Sequence, residues 1–141
     1  MLRGRLELPL DGKLISISGG PFDAMPEGAR GLCLEADAAR IGEAEWRLDV
    51  PDYGVPDEAA LRAILAQMLG AMRDAPDGAY HIGCKAGIGR TGTVMACLAM
   101  MAGAVEGDPV AWLRAAYYQR AIETPGQEAF VRGFTFSVSA P

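Results

Sequence analysis

Apolar and polar residues alternate over short stretches in the first third of the chain, and later the apolar positions recur at helical spacing. The stretches around Leu2 to Leu8, Leu14 to Ser18 and Gly31 to Leu34 predict strands, with Asp11-Gly12 and Gly19-Gly20 as turn pairs. Glu45 to Val50 predicts another. A helix is expected from Asp57, a suitable N-cap, because Leu61, Ile64, Leu65, Met68 and Met72 then share one face. The run Asp-Ala-Pro-Asp-Gly at 74–78 stops it. Ala79 to Cys84 is a short apolar run fit for a buried strand, and the segment CKAGIGRTG follows it directly. Helices are expected from about Thr91 to Ala102, from Pro109 to about Tyr118 and from Pro125 to about Arg132. The order predicts an α/β fold in which a central mixed sheet is flanked by helices and the middle strand feeds a glycine loop.

With 141 residues, half of them hydrophobic and 22% charged, one domain spanning 1–141 is expected, with a core that needs neither metal nor disulfide. The net charge of −5 disfavours nonspecific binding to nucleic acid or anionic membranes, both of which require a positive field. Any anionic ligand must then be drawn by a local site. Cys33, Cys84 and Cys97 are an odd number without close pairing, which points to a reducing compartment, the cytoplasm. Glu7, Pro9 and Asp11 break up the N-terminal leucines before a secretory signal forms. The longest uncharged stretch, Thr91 to Val105, is shorter than a membrane span. Nothing in the pattern sets an oligomeric state.

The segment from Cys84 to Arg90 carries the chemistry. A phosphate dianion needs converging N–H donors, a guanidinium for two-pronged pairing and a nucleophile behind phosphorus. Gly87 and Gly89 let the backbone of Lys85, Ala86, Gly87, Ile88, Gly89 and Arg90 curl so that its amides face one point, and Arg90 opens a helix whose dipole adds positive potential. A cysteine in that field is favoured as the nucleophilic thiolate. Residues 78–105 hold Lys85 and Arg90 but no carboxylate, where composition would place about three or four. A buried strand and helix would produce the same gap, so it is compatible with an anion site without establishing one.

These residues resemble the protein tyrosine phosphatase superfamily, whose signature HCxxGxGR[ST]G is met by Cys84, Gly87, Gly89, Arg90, Thr91 and Gly92. Upstream, VPDYGVP at Val50 to Pro56 resembles the WPDxGxP acid loop, with Val50 for tryptophan. Downstream, AIETPGQEAFV at Ala121 to Val131 resembles the IETPxQxxFV segment of compact dual-specificity-like members. The resemblance implies that Cys84 attacks phosphorus and that Asp52 is the general acid. It further implies that Arg90 and the loop amides hold the phosphate, that Thr91 donates to the sulfur and that Gln127 places the hydrolytic water. No metal or organic cofactor is required. The substrate implied is a phosphorylated protein or a small phosphomonoester. A lipid, nucleotide or RNA-end phosphate, or a phosphate-binding module with impaired catalysis, are the alternatives.

Each role has a plainer reading beside it. Asp52 competes with Asp49 in the preceding strand and with Asp57, which an N-cap explains. Thr124, Pro125 and Glu128 account for the Gln127 segment as a helix start. Lys85 is shared with inositol lipid phosphatases carrying CKAG, yet Ile88 is apolar and a solvated lysine suffices. The family histidine before the nucleophile is Gly83 here, and His81, two positions earlier, is expected as an ordinary strand residue with a satisfied ring. Cys33 could pair reversibly with Cys84 under oxidation, and Cys97 fits a small buried thiol.

Overall fold

In the computed structural model, residues 1–134 are described. Residues 135–141 of the expected single domain lie outside them. Five strands form one mixed sheet: β1 (Gly4–Leu10), β2 (Lys13–Pro21), β3 (Arg30–Cys33), β4 (Trp46–Arg47) and β5 (Ala79–Cys84), in the order β1-β2-β5-β3-β4. The β1/β2 hairpin is antiparallel, whereas β2, β5, β3 and β4 run parallel. Four helices follow the expected spans: α1 (Glu58–Asp74), α2 (Gly89–Met101), α3 (Pro109–Ala116) and α4 (Pro125–Gly133).

Alternation decides the two faces of the sheet. Leu6, Leu8, Leu10, Ile15, Ile17, Leu32, Leu34, Tyr80, Ile82 and Cys84 join Leu61, Leu65, Met68 and Met72 of α1 in one core, which the other helices complete. The opposite face is smaller. Phe22, Met25, Cys33 and Ala38 cover it, supplied largely by the excursion between β2 and β4. Caps fix the helix starts: Asp57, as the sequence suggests, accepts from the Ala60 N–H at 2.9 Å, and Asp108 does the same for α3 from the Ala111 N–H at 3.0 Å. Because β5 lies between β2 and β3, the carboxyl ends of three parallel strands converge beside Cys84, where open α/β sheets place their ligands.

Three boundaries differ from expectation. The first strand starts at Gly4 and continues to Leu10, since its register with β2 runs to the Asp11-Gly12 turn. Glu45 to Val50 is regular only at Trp46–Arg47. Beyond that it still follows β3, with the Leu48 N–H donating to Cys33 O at 3.0 Å and that of Val50 to Leu34 O at 3.3 Å. Gly19-Gly20 is not a turn but the end of β2. Both glycines are there because something else occupies their side-chain space: the Tyr117 ring lies against Gly19, and the backbone of Met1 to Arg3 against Gly20.

Gly19 and Gly70 make a matched test. A Cβ on Gly19 would collide with the Tyr117 hydroxyl, while one on Gly70, inside α1, meets nothing within 4 Å. Gly19→Ala is expected to destabilise by about 1–3 kcal/mol and Gly70→Ala to stabilise by about 0.5–1 kcal/mol, read from urea midpoints.

Candidate active site

Cys84 ends β5 and is 4% exposed. Its Sγ accepts hydrogen bonds from the Gly87 N–H at 3.2 Å and the Thr91 hydroxyl at 3.1 Å. The loop after it turns at Gly87, with φ +79°, and a Cβ there would run into the Gly20 backbone. The left-handed conformation and the close approach to β2 both require glycine.

The loop carbonyls show where its amides face. The Ala86 carbonyl accepts from Arg3 Nε at 2.9 Å, that of Gly87 from the Tyr117 hydroxyl at 2.6 Å, and that of Gly89 from Thr93 Oγ1 at 2.7 Å. The Ile88 carbonyl takes the Gly92 and Ile122 N–H groups at 3.1 and 3.3 Å. In a trans peptide the N–H points opposite to the C=O, so the amides of residues 87 to 90 are turned away from these donors. For Gly87 that direction leads to Cys84 Sγ. Burial holds the Tyr117 hydroxyl above its ordinary pKa, and the neighbouring Cys84 charge adds to the effect, so it stays a donor.

Arg90, 4% exposed, is positioned by backbone as well as by charge. One terminal nitrogen donates to Val50 O at 2.8 Å, and the other pairs with Glu35 at 2.8 Å and lies 3.4 Å from Asp52 Oδ1. Its Nε makes no hydrogen bond among the described residues. Burial opposes ionisation of Glu35, but Arg90, the Asp37 N–H and Lys85 outweigh it and hold the carboxyl below its usual range. Glu35 was not anticipated from sequence; the available signal was an acid directly after a buried strand that ends at the site.

Asp52 belongs to a tight turn closed by the Gly54 N–H to Pro51 O at 2.8 Å, with Tyr53 in the left-handed region at φ +59°. The carboxylate is half exposed and accepts from the Tyr53 N–H at 3.1 Å. Asp52, Cys84, Lys85, Gly89 and Arg90 line one cavity of about 420 Å³, together with Arg3 and Glu123. Asp49 lies outside that cavity, in a neighbouring one, and Asp57 caps α1. Among the three candidates, only Asp52 shares a cavity with Cys84. Gln127 is fully buried: its Oε1 accepts from the Glu123 N–H at 2.8 Å and the Thr124 N–H at 3.3 Å, and its Nε2 donates to Gly54 O at 3.1 Å. It ties α4 to the Asp52 turn, with one amide N–H left over.

A family model described as the DSP-PTPase phosphatase domain of Swiss Army Knife proteins, PTP-SAK, matches residues 38–131, more than half of the chain. The chain belongs to this phosphatase family. Among curated proteins none matches it in sequence. Solved structures share the fold at low identity. Tk-PTP in its active form is 20% identical with a TM-score of 0.68, over 88% of this chain and 92% of that one. Kinase associated phosphatase with its catalytic-site cysteine changed to serine is 16% identical with a TM-score of 0.67, over 95% and 93%. PTPMT1 is 18% identical with a TM-score of 0.58, over 84% and 88%.

Against the superfamily signature the departure at Gly83 has a steric reason. A Cβ on Gly83 would stand 2.5 Å from Phe22 Cα and 2.7 Å from Phe22 N, so the turn after β2 fills the space a histidine would need. His81 does not replace it. With Gly83 it points to the sheet face opposite Cys84, where its ring is fully buried, 5.9 Å from that of Phe22. Its Nε2 lies 3.2 Å from Pro21 O and its Nδ1 2.8 Å from Ser18 Oγ. A carbonyl only accepts, so Nε2 carries the proton and Nδ1 accepts from Ser18. Cys33, paired in register with Gly83, is on that same face, which opposes a disulfide with Cys84. Cys97 is buried in α2, where burial raises its thiol pKa and makes it an ordinary packing residue.

Burial pushes the His81 pKa from 6.5 down to about 4, with the Pro21 hydrogen bond working in the other direction. The unfolded chain therefore takes up the proton first, and the stabilisation from a neutral His81 is complete above pH 6.5 and lost as pH falls towards about 4. The difference in unfolding free energy between wild type and His81→Gln is expected to shrink over that window by up to about 1.4 kcal/mol per pH unit. Urea melts of both proteins across that window read the difference.

Proposed function

We propose that the chain hydrolyses phosphate monoesters through a phosphocysteine on Cys84. The observation that carries this reading is the cavity shared by Cys84, Arg90 and Asp52, in which the sulfur already accepts two hydrogen bonds. A phosphate there would meet the amides of residues 87 to 90 and the unengaged Nε of Arg90, donors suited to the equatorial oxygens of a loose transition state.

In the first step Cys84 Sγ forms a bond to phosphorus as the ester P–O bond breaks, and protonated Asp52 gives its proton to the departing oxygen. In the second, water attacks phosphorus, Asp52 takes up a water proton and the P–S bond breaks. Thr91 and the Gly87 N–H stabilise the leaving thiolate. Gln127 supports this sequence by holding the acid loop, and its remaining amide N–H is the part that can orient water. The mechanism needs no metal. Phosphotyrosine, phosphoserine and phosphothreonine of proteins, or a smaller phosphomonoester, are the substrate classes that fit.

A phosphate-binding module without turnover is favoured by one observation, the absence of a histidine at Gly83 and of space for it. Cys84→Ser separates the two. The variant is expected to lose turnover of an aryl phosphate while keeping vanadate binding, because the amides and Arg90 remain. Activity that survives in Cys84→Ser sinks the mechanism.

The acid makes a finer prediction. Asp52→Asn is expected to slow an alkyl phosphate far more than an aryl phosphate with an acidic leaving group, and to abolish the high-pH limb of the kcat/KM profile. Asp49→Asn is expected to do neither. Equal losses for both leaving groups in Asp52→Asn would move the acid to another residue.

A further inference from the structure

Six polar side chains are buried among the described residues, and four of them serve the site directly: Arg90 within the loop, Thr91 on Cys84 Sγ, Thr93 on the Gly89 carbonyl and Gln127 on the Asp52 turn. Ser18 and His81 are left. They form one pair on the opposite face of the sheet, beside Phe22, where an aliphatic side chain would carry no desolvation cost. A buried imidazole inside a strand needs its hydrogen bonds to be tolerated there. With the Ser18 hydroxyl on Nδ1, the ring has one N–H to give, and Nε2 gives it to the Pro21 carbonyl at 3.2 Å.

Pro21 closes the ladder between β2 and β5, opposite Cys84. The chain at 20–22 touches the nucleophile's neighbours on two sides. Phe22 Cα and N fill the side-chain space of Gly83, directly before Cys84, and the Gly20 backbone fills that of Gly87, whose N–H donates to the sulfur. Pro21 itself lines the Cys84 cavity. A turn held in place therefore holds Gly87 where its amide meets Sγ, and a turn that recedes from β5 leaves Gly87 room to follow. We infer that His81 is a positioning residue for Cys84. It acts from the far face of the sheet, through the Pro21 carbonyl and the chain at 20–22, and reaches the sulfur by way of the Gly87 amide. The inference rests on the phosphatase reading above and adds a residue to the support of that same site.

Glutamine and asparagine separate the two ring nitrogens. The amide nitrogen of glutamine reaches as far as Nε2 and can donate to Pro21, whereas that of asparagine reaches only as far as Nδ1. His81→Gln is expected to keep the rate of Cys84 alkylation by iodoacetate at neutral pH, and the affinity for vanadate, near wild type. His81→Asn is expected to lower both by about tenfold, the worth of one hydrogen bond to a charged group, and kcat on an aryl phosphate by a similar factor. Alkylation is read on the Cys84 peptide, apart from the buried Cys33 and Cys97. Met68→Ala hollows the α1 core, outside the Phe22 cluster, and is expected to cost stability while leaving both readings unchanged. Equal values in His81→Asn and wild type, equal losses in His81→Asn and His81→Gln, or the same loss in Met68→Ala each overturn the inference. The chain has one histidine, so wild type also gives a reading that needs no variant: exchange of the Nε2 proton with solvent is expected to slow when vanadate fills the cavity, because coupling between two sites is reciprocal. An exchange rate unchanged at saturation overturns the inference even where His81→Asn does not fold. Alkylation and vanadate binding are read without turnover, so a wild type that shows these outcomes but hydrolyses no phosphate ester defeats the phosphatase reading alone.

Discussion

A loop that aims several backbone amides at one point must turn its carbonyls the other way, and each buried carbonyl needs a donor. That requirement organises the structure around Cys84. Arg3 comes from the segment before β1, Tyr117 from the end of α3, Ile122 from the approach to α4 and Thr93 from α2, each to satisfy one carbonyl between Ala86 and Gly89. Elements far apart in sequence are thereby fastened to one short loop. Tyr117 reaches Gly87 only because Gly4 and Gly19 lack side chains along its ring, so two glycines in the first hairpin serve a loop some seventy residues later.

Charge is distributed by the same logic. Arg90 is buried and needs compensation, which Glu35 supplies directly and the Val50 carbonyl supplies without charge. The backbone contact links the guanidinium to the strand end from which the Asp52 turn departs. Gln127 braces that turn from α4, through the Gly54 carbonyl. The Asp52 turn, the loop from Cys84 to Arg90 and the start of α4 thus form one hydrogen-bonded assembly, although each reads in the sequence as a separate motif.

On the sheet's other face the chain solves a packing problem differently from the superfamily signature. The turn carrying Phe22 crosses so close to Gly83 that no side chain fits, and His81 secures that turn through the Pro21 carbonyl. The imidazole is kept neutral by burial and is part of the scaffold, on the far side of the strand from the sulfur.

The sequence by itself determined the elements with strong local signals. The α1 stripe from Leu61 to Met72, the Asp57 and Thr124 caps and the strand, glycine loop and helix around Cys84 all depend on neighbours a few residues apart, so spacing and residue type suffice. Asp52 was legible because Pro51 and Gly54 mark its turn. The tertiary structure alone decided what depends on distant partners. Gly19-Gly20 reads locally as a turn, but the space taken by Tyr117 and by Met1 to Arg3 makes it strand. Glu35, Arg3 and Tyr117 carry no motif, since what brings them to the site is the parallel pairing of β5 between β2 and β3 and the packing of α3 and α4 against α2. That Gln127 holds two segments together is likewise a tertiary result, because its buried amide must satisfy its own hydrogen bonds and does so at the Glu123 N–H and the Gly54 carbonyl.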